Sequence, residues 1–480
     1  MMAKVRLWTV RILMIMGLAS IGVALGLGFM AYRVAQNSGL DSAIIPILRT
    51  AYILQEYYVE PMDSQQTKQR LLAGLVDHLD PHTIYLPPQE AKSWSDQLKG
   101  SYGGIGIGAK PSDDKKSLVI KDMTDVGPAR SAKLAPGDAI VAIDGRAVSG
   151  KSLQDNFQLI RGLVGTSVEL EVAPHNGGPH RNVNVVRAVI DLPTAQWSLL
   201  DVPGGKVFFV RESRFNEEMI KQTAKAALDA EAEAPGKIKG VILDLRDNPG
   251  GLITSAVGLA SFFGEPGALV VTAKARDSSQ NQEWHAVHDD WIDADAGSKD
   301  DTISLARKAA PWLAKAPMVV LVNRRSASAS EIVAGALKDW KRATIVGNDT
   351  FGKGSVQSIV PLGEGNGSIK VTTSRYYTPL GKAIQAVGVS VDVKVASALD
   401  RGAKEADLPK HLKGEEAQES HGEALSSLDA ASGANKPIDV KDPAVAAELH
   451  AEEQRSTFST KLTLSPTDVY LAAALKAFNF

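Results

Sequence analysis

The sequence predicts a multi-domain α/β protein: an α/β core with a β-rich module inserted ahead of it and a helical segment at the N-terminal side. Three observations carry this. Between residues 195 and 395 the uninterrupted apolar runs KVFFV, GVILDL and MVVLVN alternate with helical stretches, as expected of strands buried on both faces of a largely parallel sheet. From Tyr102 to about Val186 the texture changes to the short runs GGIGIGA, SLVIKDM, DAIVAID and VELEVA, separated by Gly, Pro and Asp turns. The chain has 480 residues, more than one ordinary domain holds. Its 44% hydrophobic content is enough to build a core and excludes global disorder.

In chain order, residues 1–36 read as a cytoplasmic leader and transmembrane signal anchor. Lys4, Arg6 and Arg11 precede an uncharged stretch from Ile12 to Tyr32. At about 1.5 Å per residue such a stretch crosses a bilayer core of roughly 30 Å. No small-x-small cleavage site follows, so an uncleaved anchor is expected rather than a signal peptide. Basic residues on the leading side keep the N-terminus in the cytoplasm. Everything after Arg33 is then expected on the periplasmic or extracytoplasmic side of the inner (cytoplasmic) membrane, held by a single pass.

Residues 37–97 read as helical, with Ile44, Leu48, Ile53 and Leu54 in one apolar cluster and Leu71, Leu72, Leu75, Val76 and Leu79 in another that Asp80-Pro81 ends. Residues 98–190 form the β-rich module, with one helical stretch at 152–162. Residues 191–395 form the core, with helices at 252–263 and 330–340 after two of its strands. In the extension 396–480, a Glu-, Ala-, Ser- and Gly-rich linker at 413–436 leads to a short helix in PTDVYLAAALKAF.

Composition removes several chemistries. Lys and Arg total 53 against 55 Asp and Glu, so no general field draws the chain to nucleic acid. There is no cysteine, which excludes disulfides, thiolate metal sites and a cysteine nucleophile. His285-x-x-His288 with Asp289 and Asp290 offers no third ligand and reads as a solvated loop, so no metal is expected.

In open α/β sheets, functional groups collect where strands end and helices begin. Two junctions stand out. After GVILDLR comes Asp247-Asn248-Pro249-Gly250-Gly251, whose glycines let backbone N–H groups approach a ligand; alone, the same residues make an ordinary turn. After MVVLVN comes the stretch Arg324 to Glu331, in which Ser328 and Glu331 also match a helix-capping box. Downstream, Thr350-Phe351-Gly352-Lys353-Gly354-Ser355-Val356-Gln357 would put Lys353, Ser355 and Gln357 on one face if extended. A serine nucleophile needs a base, neither junction holds a histidine, and a desolvated neutral lysine can serve. A solvated surface lysine or a phosphate-binding contact is the competing reading, although GKGS lacks the spacing of a phosphate loop.

The stretch SASASEIVAGALKDWKRATIVGNDTFGKGSVQ, together with GVILDLRDNPGG, resembles the signature of the carboxyl-terminal processing protease family, PDZ-containing S41-type serine peptidases. The likeness extends to LDPHTIYLPPQE, to GGIGIGA and LAPGDAIVAIDGRAV of a PDZ domain, and to YYTPLGKAIQAVGVSVDV, covering residues from about 45 to 395. It implies an α/β serine-peptidase core with an inserted PDZ domain, acting as an endopeptidase at or near protein C-terminal tails. By the same likeness Ser328 is the nucleophile, Lys353 the general base and Gln357 the residue that orients it. Gly250 or Gly251 with the amide of Ala329 would form the oxyanion hole, and Asp339 is a structural acid. Asp247 departs from the family's frequent Asn, and 274–315 is longer and more polar than typical.

In the PDZ segment Gly103, Gly104, Ile105, Gly106 and Ile107 are expected to form the loop that receives a terminal carboxylate; alone, these glycines read as a strand bulge. The implied partners are protein substrates with exposed C-terminal tails, the membrane, and an adaptor protein or a second copy; no cofactor is implied. A noncatalytic tail-binding scaffold is the alternative, against which Ser328, Lys353 and Gln357 all stand intact. A His–Asp–Ser protease lacks a histidine near the nucleophile.

Overall fold

The computed structural model describes residues 41–478 apart from 125–126, 192, 288–290, 293–298, 301, 396–402, 415–459, 463 and 465–467. The anchor read over 12–32, most of the linker and His288 lie outside the described residues, among which no helix is long and apolar enough to cross a membrane.

The chain divides into two units, Met1–Leu72 and Ala73–Phe480. The first contains α1 (Asp41–Tyr57) and most of α2 (Ser64–Val76). Asp63 caps α2, its Oδ1 accepting from the N–H groups of Gln65 and Gln66 at 2.8 and 3.0 Å. The helical reading of residues 37–97 needs correction. α2 stops at Val76, short of Asp80-Pro81, and Ile84–Leu86 forms a strand, β1, before α3 (Pro88–Lys99) starts with a proline in its first turn. β1 is stabilised by antiparallel pairing with residues 368–370, a distant partner that local periodicity does not register.

The β-rich module comprises β2 (Ser101–Gly104), β3 (Ile107–Pro111), β4 (Leu118–Met123), β5 (Ala139–Ile143), α4 (Leu153–Ile160), β6 (Ser167–Ala173), β7 (Arg181–Val186) and β8 (Ala188–Asp191). The order β3-β4-β5-β6-β7 is antiparallel throughout, and β2 pairs with β8, where the chain enters and leaves. The alternating strands bury Ile140, Ile143, Val168, Leu170 and Val172 completely. Ser152 and Asp155 cap α4 reciprocally.

The core follows: β9 (Ala195–Val202), β10 (Gly205–Glu212), α5 (Met219–Glu233), β11 (Ile238–Asp244), α6 (Ile253–Phe263), β12 (Leu269–Ala275), β13 (Gln282–His285), β14 (Met318–Val322), α7 (Ala329–Asp339), β15 (Thr344–Gly347), β16 (Ser355–Pro361), β17 (Ser368–Tyr377) and β18 (Val393–Lys394). Its main sheet has the order β9-β10-β11-β14-β15-β18, parallel except for β9 with β10. Phe208, Val241, Leu243 and Val320 face one cluster with α5, α6 and α7. Val207, Phe209, Ile242, Val319 and Leu321 face the other, where the last helix α8 (Val469–Ala477) contributes Tyr470, Leu471 and Ala474. Both faces are covered, which is why these strands are apolar without alternation. Each fully buried phenylalanine contributes roughly 1.5–3 kcal/mol. A second sheet, β1-β17-β12-β13 with β16 along β17, is joined to the first by the loop that runs from the carboxyl end of β15 to β16.

Candidate active site

β11, β14 and β15 are adjacent and parallel, so the loops that leave their carboxyl ends meet. They are hydrogen-bonded to one another. Ser326 Oγ donates to the Leu245 carbonyl at 2.7 Å, Ala327 N–H to the Asn248 carbonyl at 3.0 Å, and Phe351 N–H to the Ser326 carbonyl at 3.0 Å. Ser328 sits at the sharp turn from strand to α7 with φ 56° and ψ −114°, a backbone position that costs a β-carbon residue energy and is sustained only by its surroundings.

Those surroundings are built around Glu331, which is fully buried. Its Oε2 accepts from Ser328 N–H at 2.7 Å and from Lys353 N–H at 2.9 Å. Its Oε1 accepts from Thr350 Oγ1 at 2.5 Å and Gly352 N–H at 2.7 Å. The two backbone nitrogens of Ser328 and Lys353 are therefore no further apart than those two Oε2 bonds laid end to end. Burial pushes the Glu331 carboxyl up to about 7 despite the four donors. The Ser–x–x–Glu pattern is thus more than a helix cap: its acid joins two loops.

Lys353 is largely buried. Its amine is pushed down to about 8 by burial and by the charge of Lys370, against the opposing pull of Glu405, Glu331 and Asp80. It donates to Gln357 Oε1 at 2.5 Å and to the Ser355 carbonyl at 3.2 Å. Gln357 Nε2 donates to Ser355 Oγ at 2.9 Å and to Thr372 Oγ1 at 3.1 Å, so Lys353, Ser355 and Gln357 do share one face. The Ser328 hydroxyl is hydrogen-bonded with Tyr376, whose phenol burial lifts to about 12. No hydrogen bond joins Ser328 to Lys353 among the described residues.

The glycine turn lies directly beneath the serine. A β-carbon on Gly250 would sit 2.8 Å from Ser328 Cβ, and one on Gly251 1.8 Å from the Phe215 carbonyl. The Gly250 N–H donates to Asn248 Oδ1 at 2.9 Å, whereas Gly251 and Ala329 carry no such bond among the described residues. Asp247, at φ 62°, accepts from Asn323 Nδ2 at 2.8 Å and Arg325 Nε at 2.6 Å. Burial would raise its carboxyl, but these bonds and Arg211 hold it below the ordinary range. An acid suits this position because it stitches the two junction loops together. Asp339 ties the end of α7 to Thr378, Leu380 and Lys382.

In the β-rich module, Gly103 and Gly104 belong to β2, and a β-carbon on Gly103 would lie 2.0 Å from the Gly162 carbonyl, so close packing accounts for that glycine. Ile105 and Gly106 form the link to β3, with Gly106 at φ 77° and Ile107 opening the strand. β3 is an edge strand of its sheet. Sequence reasoning did not anticipate Thr350, Thr372, Tyr376 or Glu405, whose contacts all cross between distant segments.

Residues 206–395 match the Peptidase family S41 model and residues 94–173 the PDZ domain model. A carboxy-terminal-processing protease of Bartonella bacilliformis is 34% identical over 367 residues, covering 75% of this chain and 78% of that protein. The carboxy-terminal processing protease CtpB of Bacillus subtilis is 30% identical, covering 75% and 69%. A solved photosystem II D1 C-terminal processing protease is 31% identical, covering 72% of this chain and 86% of that one, at a TM-score of 0.40. β11, β14 and β15 with their junction loops fall in the first model and β2 to β6 of the β-rich module in the second, and a processing protease aligns over three quarters of the chain: the chain belongs to the carboxy-terminal processing proteases, S41 serine peptidases with a PDZ domain.

Proposed function

We propose that this protein is a membrane-tethered endopeptidase working outside the cytoplasm, which holds the C-terminal tail of a protein substrate in its PDZ domain and cleaves through an acyl-enzyme on Ser328. The observation that carries the catalytic part is the Lys353 amine: largely buried, held down to about 8, on a loop tied by Glu331 Oε2 to the N–H of Ser328. The reaction requires the Ser328 hydroxyl to leave Tyr376 and reach the lysine, a tightening of the kind that substrate binding produces in resting active sites. Neutral Lys353 takes the hydroxyl proton as Oγ attacks the scissile carbonyl. The N–H groups of Ala329 and Gly251 stabilise the oxyanion, and Gly250, its own N–H held by Asn248, shapes the turn. Lysine ammonium then protonates the departing amine, and water deacylates the serine with the lysine again as base.

Tail recognition is supported by the free edge of β3 and the adjoining Ile105–Gly106 link, whose N–H groups donate to no described residue. An added peptide strand would pair with β3 and leave its terminal carboxylate at those donors. The anchor rests on the uncharged stretch 12–32 behind its basic leader.

The test is cleavage of an unstructured, apolar-tailed protein by the wild type and by Ser328→Ala and Lys353→Ala, each with a free and an amidated tail. Both variants should lose turnover with unchanged circular dichroism, and amidation should slow the wild type. A Lys353→Ala enzyme with wild-type turnover would sink the dyad; indifference to amidation would sink carboxylate recognition.

A further inference from the structure

Asp80 lies in the turn between α2 and β1, far in sequence from Ser328, Lys353 and Gln357. Its Oδ1 accepts from Thr372 Oγ1 at 2.9 Å and from His82 N–H at 3.0 Å, and its Oδ2 from Thr83 Oγ1 at 2.6 Å. Burial would raise its carboxyl, but these donors together hold it below the ordinary range, so it is ionised and can only accept. That one property orders the contacts beyond it. Because Thr372 spends its proton on Asp80, its oxygen is left as an acceptor and calls for a donor from Gln357, which is the Nε2 found at 3.1 Å. With Nε2 so committed, Gln357 has only Oε1 to turn to Lys353, 2.5 Å from its amine.

A second arm closes on the same loop. His82 Nε2 lies 2.8 Å from Glu405 Oε2, and Glu405 Oε1 accepts from Gln385 Nε2 at 3.0 Å. Gln385 Oε1 is thereby turned to the N–H of Gly354, beside the lysine, at 3.0 Å. Here too an acceptor-only carboxylate decides which way a glutamine amide faces.

We propose that Asp80 is a positioning residue for the peptidase reaction: by fixing the direction of hydrogen bonding through Thr372 it makes Gln357 present its carbonyl, rather than its NH2, to Lys353. The assignment rests on the reading of Lys353 as the base. An asparagine at position 80 can donate to Thr372, which frees the threonine to donate onward and lets Gln357 turn over. The NH2 group then meets the amine, and the lysine loses the acceptor that aims it. The charged groups facing Lys353 are Lys370, Glu405, Glu331 and Asp80. Loss of the Asp80 charge and reversal of the amide both disfavour the ammonium, so the two effects have the same sign.

The experiment is the pH profile of kcat/KM for the full-length chain on an unstructured, apolar-tailed protein, comparing wild type, Asp80→Asn, Thr372→Val and the double variant, with Lys353→Ala as control. Asp80→Asn should lower the alkaline plateau by about tenfold to a hundredfold. It should also move the acid limb down by roughly half a pH unit or more. Thr372→Val should lower the plateau, and the double variant should be no worse than the poorer single one, since all interrupt one chain of contacts. A lowered plateau with an unmoved limb would reduce Asp80 to a structural role, and an unmoved plateau or strictly multiplicative losses would also overturn the proposal. Should Asp80→Asn fail to fold, a folded Thr372→Val enzyme with wild-type turnover would do the same. An active Lys353→Ala control would instead mark failure of the dyad reading on which the proposal stands.

Discussion

On the proposal that Lys353 is the base, activity should rise about tenfold between pH 7 and pH 9, because only a neutral amine can accept the Ser328 proton. With the amine at about 8, about one-tenth of the molecules are competent at pH 7 and about nine-tenths at pH 9. The limb should follow the lysine's surroundings. Lys370, which stacks on Trp94 at 4.0 Å, pushes the amine down by its charge, so Lys370→Met should move the limb to higher pH. The assay is kcat/KM from pH 6.5 to 9.5 on a substrate with no group titrating in that range. A flat profile, a midpoint near the ordinary imidazole value of about 6.5, or a limb that ignores Lys370→Met would refute the reasoning.

The same amine makes stability depend on pH. A fall from 10.5 to about 8, at about 1.36 kcal/mol for each unit, costs roughly 3 kcal/mol when the buried amine must be charged. The unfolded chain binds the proton more readily than the folded one between those values. The cost is therefore fully present below about 8 and is relieved as pH rises towards 10.5. Lys353→Met should gain on wild type in thermal unfolding as the pH is lowered through this window.

Two further outcomes are expected. Gly251→Ala forces a β-carbon against the Phe215 carbonyl at 1.8 Å, displaces the turn beneath Ser328 and should cut kcat by about 100-fold; wild-type kcat would remove Gly251 from the oxyanion hole. A topology reporter joined after residue 40 should read as extracytoplasmic and stay with the membrane fraction, and recovery of a soluble protein starting near residue 35 would turn the anchor into a cleaved signal.

What was legible in the sequence follows from where the information sits. GVILDL and MVVLVN are apolar at every position because both faces are covered, and the helices after them, read at 252–263 and 330–340, occupy Ile253–Phe263 and Ala329–Asp339. Their junction loops could be found because strand ends and turn residues are local signals. Ile84–Leu86 could not, since it is a strand only by pairing with Lys370–Ser368. The capping-box pattern at Ser328 was visible, but that Glu331 also holds Thr350, Gly352 and Lys353 depends on a loop about twenty residues on. The Asp80–Thr372 and His82–Glu405 contacts bridge still larger separations, and no spacing rule reaches that far.

The docking of α8 bears on the order in which the core can be completed. Asp468 pairs with Arg246 through both carboxylate oxygens, and Tyr470, Leu471 and Ala474 lie buried against the same face as Val207, Phe209, Ile242, Val319 and Leu321. That apolar face belongs to strands made long before the helix that covers it. A chain still being synthesised therefore holds a sheet with one face bare, and the loop that begins at Arg246 gains its carboxylate partner only when residues 468–477 have emerged and docked.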